Sequence, residues 1–104
     1  MGLITYCKKL KELHSEVHKT FVETTINLTS ILIKYDGNED ILKKIEPVYN
    51  SRIERNIRYR KMALQSLSKK RINYLMCNMI SSVIDFEILV SAVVDLDELN
   101  KKDS

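Results

Sequence analysis

Leu3, Cys7, Leu10, His14, Val17, Phe21, Thr24, Leu28, Ile31 and Tyr35 follow one another at spacings that alternate between four and three residues. On an α-helix such positions fall along one stripe, so the first third of the chain is predicted to be a helix of about nine turns that presents a bundle or coiled-coil seam. Ile4, Val22, Ile26 and Ile33 are expected to widen the stripe, as they would on a helix touching two neighbours. The β-branched run Thr24-Thr25-Ile26 weakens helix propensity, and a local irregularity is an expectation there.

Asp36-Gly37-Asn38 is the clearest break. Glycine suits the left-handed residue that ends a helix, and Asn38 can cap the next one with Glu39 and Asp40 in its electropositive first turn. The inter-helix turn is therefore placed at 36–40, between antiparallel helices. Ile41, Leu42 and Ile45 begin a second apolar face, but Pro47 lacks the helical N–H and disfavours helix at Glu46. A short second helix and a third one starting near Pro47 are expected. Val48, Tyr49, Ile53, Ile57, Leu64 and Leu67 are expected to face inward on that third helix. Ser66-Leu67-Ser68 is compatible with a turn or with a continuing helix. The segment from Ile72 to Leu99 is densely apolar on more than one face, which predicts a central position or contact with a partner chain. Asp85 and Glu87 interrupt it and argue against a membrane span. Lys101-Lys102-Asp103-Ser104 reads as a frayed tail.

The 104 residues, 44% hydrophobic and 30% charged, with two glycines, one proline and no tryptophan, suit one helical domain covering 1–104. Cys7 and Cys77 form no metal-binding or disulfide pattern, so buried free thiols in a reducing compartment are expected. No apolar run precedes Lys8 and Lys9 in the manner of a secretory signal, and the expected location is intracellular.

Charge is distributed unevenly along this helical pattern. Arg52, Arg55, Arg58, Arg60, Lys61, Lys69, Lys70 and Arg71 stand against a single acid, Glu54, whereas Asp85, Glu87, Asp95, Asp97 and Glu98 are the only charges from Ile72 to Asn100. Two functional readings follow. The basic block could neutralise nucleic-acid phosphates, with Tyr49 or Tyr59 available for stacking. It could instead pair with carboxylates of the last helix or of a partner protein. A solvated helix face with modest surface ion pairs is the plain alternative.

Nothing in the sequence points to catalysis. His14 and His18 are spaced as two ligands on a helix face could be, yet the glutamate-first zincin order is absent, and a packed, hydrogen-bonded histidine pair is the preferred reading. No nucleophile elbow or phosphate-cradling glycine loop occurs. No cofactor, metal or small-molecule substrate is expected.

The segment Ile53-Glu54-Arg55-Asn56-Ile57-Arg58-Tyr59, with the apolar and basic run that follows to Lys70-Arg71-Ile72, resembles the central helix of the α-helical domain of GINS subunits, of the Psf-one or Sld-five type. Arg55, Asn56 and Arg58 match the arginine–asparagine pair and later arginine of the Psf-one type. Ile57-Arg58-Tyr59 matches a triplet of the Sld-five type, and Lys11 to His14 matches a leading string of the former. Tyr59 stands where the Psf-one type has cysteine, and the small β-rich domain of full-length subunits has no counterpart. The resemblance implies a non-catalytic, nuclear subunit of the replicative helicase assembly, in which Arg55, Asn56 and Arg58 order the subunit's helices or an intersubunit contact.

The sequence therefore predicts an all-α bundle of four to five helices in elongated antiparallel packing. It acts with other helical subunits, as a homo- or hetero-oligomer, through Arg52, Arg55, Asn56, Arg58, Lys61, Lys69, Lys70 and Arg71. The alternative is a free-standing helical protein that uses the same face on an acidic partner or a nucleic acid.

Overall fold

Three long helices account for nearly all of the residues, 2–102, that the computed structural model describes: α1 (Leu3–Lys34), α2 (Glu39–Gln65) and α3 (Lys69–Lys102). α1 ends as its sequence dictates. Gly37 takes φ +87°, and the Asn38 side chain accepts the Ile41 N–H at 3.3 Å, with Glu39 and Asp40 in the first turn of α2. The second connection is decided by two serines. Ser66 Oγ accepts the Ser68 N–H at 3.2 Å and Ser68 Oγ accepts the Arg71 N–H at 3.3 Å, so the hydroxyls satisfy amides that a continuing helix would have bonded to its own carbonyls.

The expected four to five helices are corrected to three because Pro47 lies inside α2 and starts no new helix. An interior proline costs about 3 kcal/mol. Against that, Ile41 and Ile45 before it and Val48, Tyr49 and Ile53 after it pack into one core, and each fully buried aliphatic side chain contributes roughly 1.5–3 kcal/mol. Burial on both sides of Pro47 outweighs the lost hydrogen bond, and the proline itself is exposed. The irregularity expected near Thr24 is also absent. Thr24, Thr25 and Thr29 each donate to the carbonyl four residues back, at 2.8–2.9 Å, and α1 runs through them. Lys101 and Lys102 belong to the last turn of α3, while the rest of the expected frayed tail, Asp103 and Ser104, lies outside the described residues.

With two tight turns, α1 and α3 run parallel and α2 runs against both. Each helix packs on the other two around two apolar clusters. Leu28, Ile41, Ile45, Val83, Phe86 and Val90 form one, near the α1–α2 turn. Val17, Ala63, Ile72, Leu75 and Met79 form the other, near the α2–α3 turn. Between them in the order of every helix stands a buried polar residue: Thr24, Asn56 and Ser82. Thr24 is satisfied within its own helix. Asn56 and Ser82 meet across α2 and α3, with Ser82 Oγ 3.1 Å from Asn56 Oδ1 and 2.6 Å from the Met79 carbonyl. One hydroxyl proton cannot serve both acceptors. Turning the Asn56 amide over lets its NH2 donate to Ser82 while Ser82 donates to Met79, which is the chemically consistent arrangement.

The helices are staggered. The molecule measures 69 × 21 × 15 Å, longer than the about 51 Å of α3 alone at the usual helical rise. The first turns of α1 project past the start of α3, leaving Leu3 77% exposed, and the last turns of α3 project past the α1–α2 turn, exposing Leu96 and Leu99. The stripe read on α1 therefore packs only from Leu10 onward, and Leu3 and Cys7 lie outside the core. α1 does touch two neighbours, but Ile4, Val22, Ile26 and Ile33, expected to widen the packed face, are exposed on the side away from α2 and α3. Ile57 and Leu67 are likewise exposed instead of inward-facing, and both cysteines are exposed free thiols instead of buried ones.

Replacing Pro47 with alanine is expected to raise stability by about 1–3 kcal/mol, as restored hydrogen bonding relieves α2. Urea unfolding monitored by circular dichroism checks this, and a lower midpoint would show that the proline costs α2 nothing. Asn56→Ala and Ser82→Ala are each expected to cost about 1–3 kcal/mol, with a coupling of at least ~0.5 kcal/mol in the double mutant. Strictly additive losses in that cycle would mean that the two side chains do not share an interaction.

Candidate interaction surface

The basic segment divides by depth. Arg58 and Lys61 are exposed, and Lys69, Lys70 and Arg71 are exposed in the first turn of α3. Arg58 and Lys61 sit on the outer side of α2, away from the buried Asn56 and Ala63. Arg52 and Arg55 are half-buried, and Asn56 is fully buried, so its contribution is made inside the bundle. Arg60 turns toward α1. Its Nη2 lies 3.2 Å from His18 Nδ1, which accepts because a guanidinium only donates, and its charge sits 5.2 Å from the centre of the Phe21 ring. The Nε atoms of Arg52 and Arg60 are buried without a hydrogen-bonding partner among the described residues.

Among the described residues, no carboxylate lies within ion-pair distance of these cations. The ion pairs found among the described residues, Lys19–Glu23 at 3.9 Å and Lys101–Asp97 at 3.2 Å, each join neighbouring turns of one helix. The expected pairing of the arginines with acids of the last helix therefore does not form. α3 instead runs from a basic first turn to acids near its far end, so the charge switch of the sequence becomes a separation along the long axis of the molecule.

The parallel course of α1 and α3 adds cations that sequence reasoning left out. Lys8, Lys9 and Lys11 are exposed on the projecting start of α1, and Lys9 and Lys69 line one groove with Glu12 and Glu16. Three basic residues at the start of α3 also add to the positive end of that helix's dipole instead of opposing it. This end of the bundle is a basic pole made of Lys8, Lys9, Lys11, Lys61, Lys69, Lys70 and Arg71, with Arg58 on its flank. The signal was present in Lys8-Lys9, but only an odd number of helices brings it beside Lys69-Lys70-Arg71.

The aromatic residues named for base stacking are committed elsewhere. Tyr49 is half-buried, its hydroxyl 2.9 Å from Thr29 Oγ1 and its ring tilted on Phe86, and Tyr59 packs against the second apolar cluster. His14 and His18 do not form the expected hydrogen-bonded pair. His18 faces Arg60, and His14 has a buried Nε2 without a partner among the described residues. No group of three or more His, Cys, Asp or Glu among the described residues could hold a metal ion. The grooves are open. One runs between α1 and α3 past Glu16, Glu23 and Asn27 on one wall and Asn73, Cys77 and Ile80 on the other. No helix of the described residues is long and apolar enough to cross a membrane.

The arrangement offers fixed positive charge for binding anionic groups and apolar side chains for packing against protein. No protein-family model matches the chain, and neither a curated protein nor a solved structure matches it significantly.

Proposed function

We propose that the chain is a non-catalytic structural subunit of a multiprotein assembly, with its basic pole as the surface presented to an acidic partner. The observation that carries this reading is the absence, among the described residues, of any carboxylate within ion-pair distance of the Arg52–Arg71 cations. A charge left uncompensated in its own chain is free to be used between chains, where guanidinium and ammonium groups set orientation and association rate. Its finer form is a GINS-like DNA replication factor supporting the replicative helicase. The support for that is the resemblance of Ile53 to Tyr59 together with an elongated all-α frame whose helices leave apolar residues on their outer faces.

A second reading uses the same pole on nucleic acid. It is favoured by the convergence of α1 and α3 lysines, and it operates through phosphate contacts without stacking by Tyr49 and Tyr59, which are half-buried against the apolar clusters.

The charge-reversed chain Arg58→Glu with Lys61→Glu is expected to fold normally, both positions being exposed, and to lose partner binding. Co-expression with the GINS-type subunits of the same organism, followed by chromatography at rising salt, checks the main reading. A complex that survives high salt in the unaltered chain and weakens in the variant supports it. Absence of any complex, with retention on DNA that falls steeply with salt, sinks it in favour of the second reading.

A further inference from the structure

We propose that α3 is the seam of a symmetric homodimer, its outer stripe packing antiparallel on that of a second copy about a two-fold axis at Ile84. α3 is apolar on two opposite faces. One is the buried face of Ile72, Leu75, Met79, Phe86 and Val90. The other follows the spacing Lys70, Tyr74, Cys77, Ser81, Ile84, Ile88, Ser91, Asp95, Glu98, again alternating four and three residues through four heptads, or about 42 Å of helix. Half or more of each large apolar side chain on or flanking this stripe is open: Tyr74 65%, Ile80 50%, Ile84 53% and Ile88 65%. Single exposed apolar residues are ordinary on a protein surface, but a row of them at coiled-coil spacing is an unpaired seam.

The charges along the stripe select both the occupant and its direction. In an antiparallel pair centred on Ile84, residues whose numbers sum to about 168 face each other. Lys70 then meets Glu98 of the second copy, Tyr74 meets Asp95, Cys77 meets Ser91, Ser81 meets Ile88 with Ile80 flanking the contact, and Ile84 meets itself. Lys70 of each copy lies on the Asp95–Glu98 segment of the other, twice over by symmetry, with Ile84 and Ile88 in the middle and the exposed Asp85 and Glu87 at the rim beside them. A parallel pair would set Lys70 on Lys70, Asp95 on Asp95 and Glu98 on Glu98. The stripe is thus complementary to itself in one direction only, which is what a two-fold interface requires. The proposal rests on this face and is independent of the replication-factor reading; dimerisation engages Lys70 but leaves Arg58, Lys61 and the α1 lysines at the basic pole.

Light scattering and sedimentation of the full chain over a concentration series test the idea, with twice the mass of one chain expected. Ile84→Asp is expected to raise the dimer dissociation constant at least about a hundredfold by placing two carboxylates on the axis. Its helical circular dichroism should be unchanged, and Ile33→Asp on the outer face of α1 should leave the dimer intact. Direction is read by cross-linking in a Cys7→Ser, Cys77→Ser chain. Ile84→Cys should oxidise to a covalent dimer, whereas Ile80→Cys and Ile88→Cys should each fail alone and link only when mixed. A monomer at every concentration overturns the proposal, as does a dimer indifferent to Ile84→Asp. Ready self-linking of Cys77 in the unaltered chain would also overturn it, since that requires the parallel arrangement.

Discussion

The contact between Asn56 and Ser82 sets the register of α3 on α2, and much of what the molecule presents to its surroundings follows from that alignment. Apolar clusters on either side tolerate sliding, because one aliphatic residue replaces another at modest cost, whereas a buried amide displaced from its partner loses a hydrogen bond in a dry setting. A single polar position that sets register is a device known from coiled coils, where it lowers stability and excludes alternatives. Here it sits between the two cores, where a one-turn shift of α3 against α2 would oppose Asn56 with Met79 or Phe86. Thr24, bonded to its own helix, completes the layer without linking α1 to the others.

Register in turn positions charge. α3 begins beside the projecting start of α1, so the lysines of two chain segments far apart in sequence reach one pole. The stagger leaves the end of α3, with Asp95, Asp97 and Glu98 followed by Lys101 and Lys102 in the last turn, beyond the opposite turn. Among the described residues the basic pole meets no carboxylate, the far end holds the Lys101–Asp97 pair, and the stripe along α3 has apolar residues near its middle with Lys70 at one end and Asp95 and Glu98 near the other. A surface arranged in this way is suited to association.

Much of this was legible in the sequence. The four-three stripe of α1, the Gly37 stop, the Asn38 cap and the two-faced character of α3 all rest on local rules that tertiary packing did not override. Pro47 was misleading because its local cost is fixed while the burial on both sides depends on partners that sequence alone does not locate. The same ignorance of partners placed Ile57, Leu67, Cys7 and Cys77 inside, since apolar spacing marks a candidate face but not whether anything covers it. Asn56 stood out only for its place in a family-like string, and its burial was hidden among arginines. Lys8, Lys9 and Lys11 were overlooked because their importance depends on the number of helices, which the proline had obscured.

The length of the molecule changes what its net charge means. At physiological ionic strength a charge is screened over about 8 Å, whereas the described residues extend over 69 Å. A molecule approaching the basic pole is therefore shielded from the acids at the other end, and the formal +3 of the whole chain is a sum that no partner experiences. A partner at the basic pole meets mainly cations, whereas one at the far end meets the acids of α3 interleaved with Lys101 and Lys102, so the two ends differ in the charge that they present.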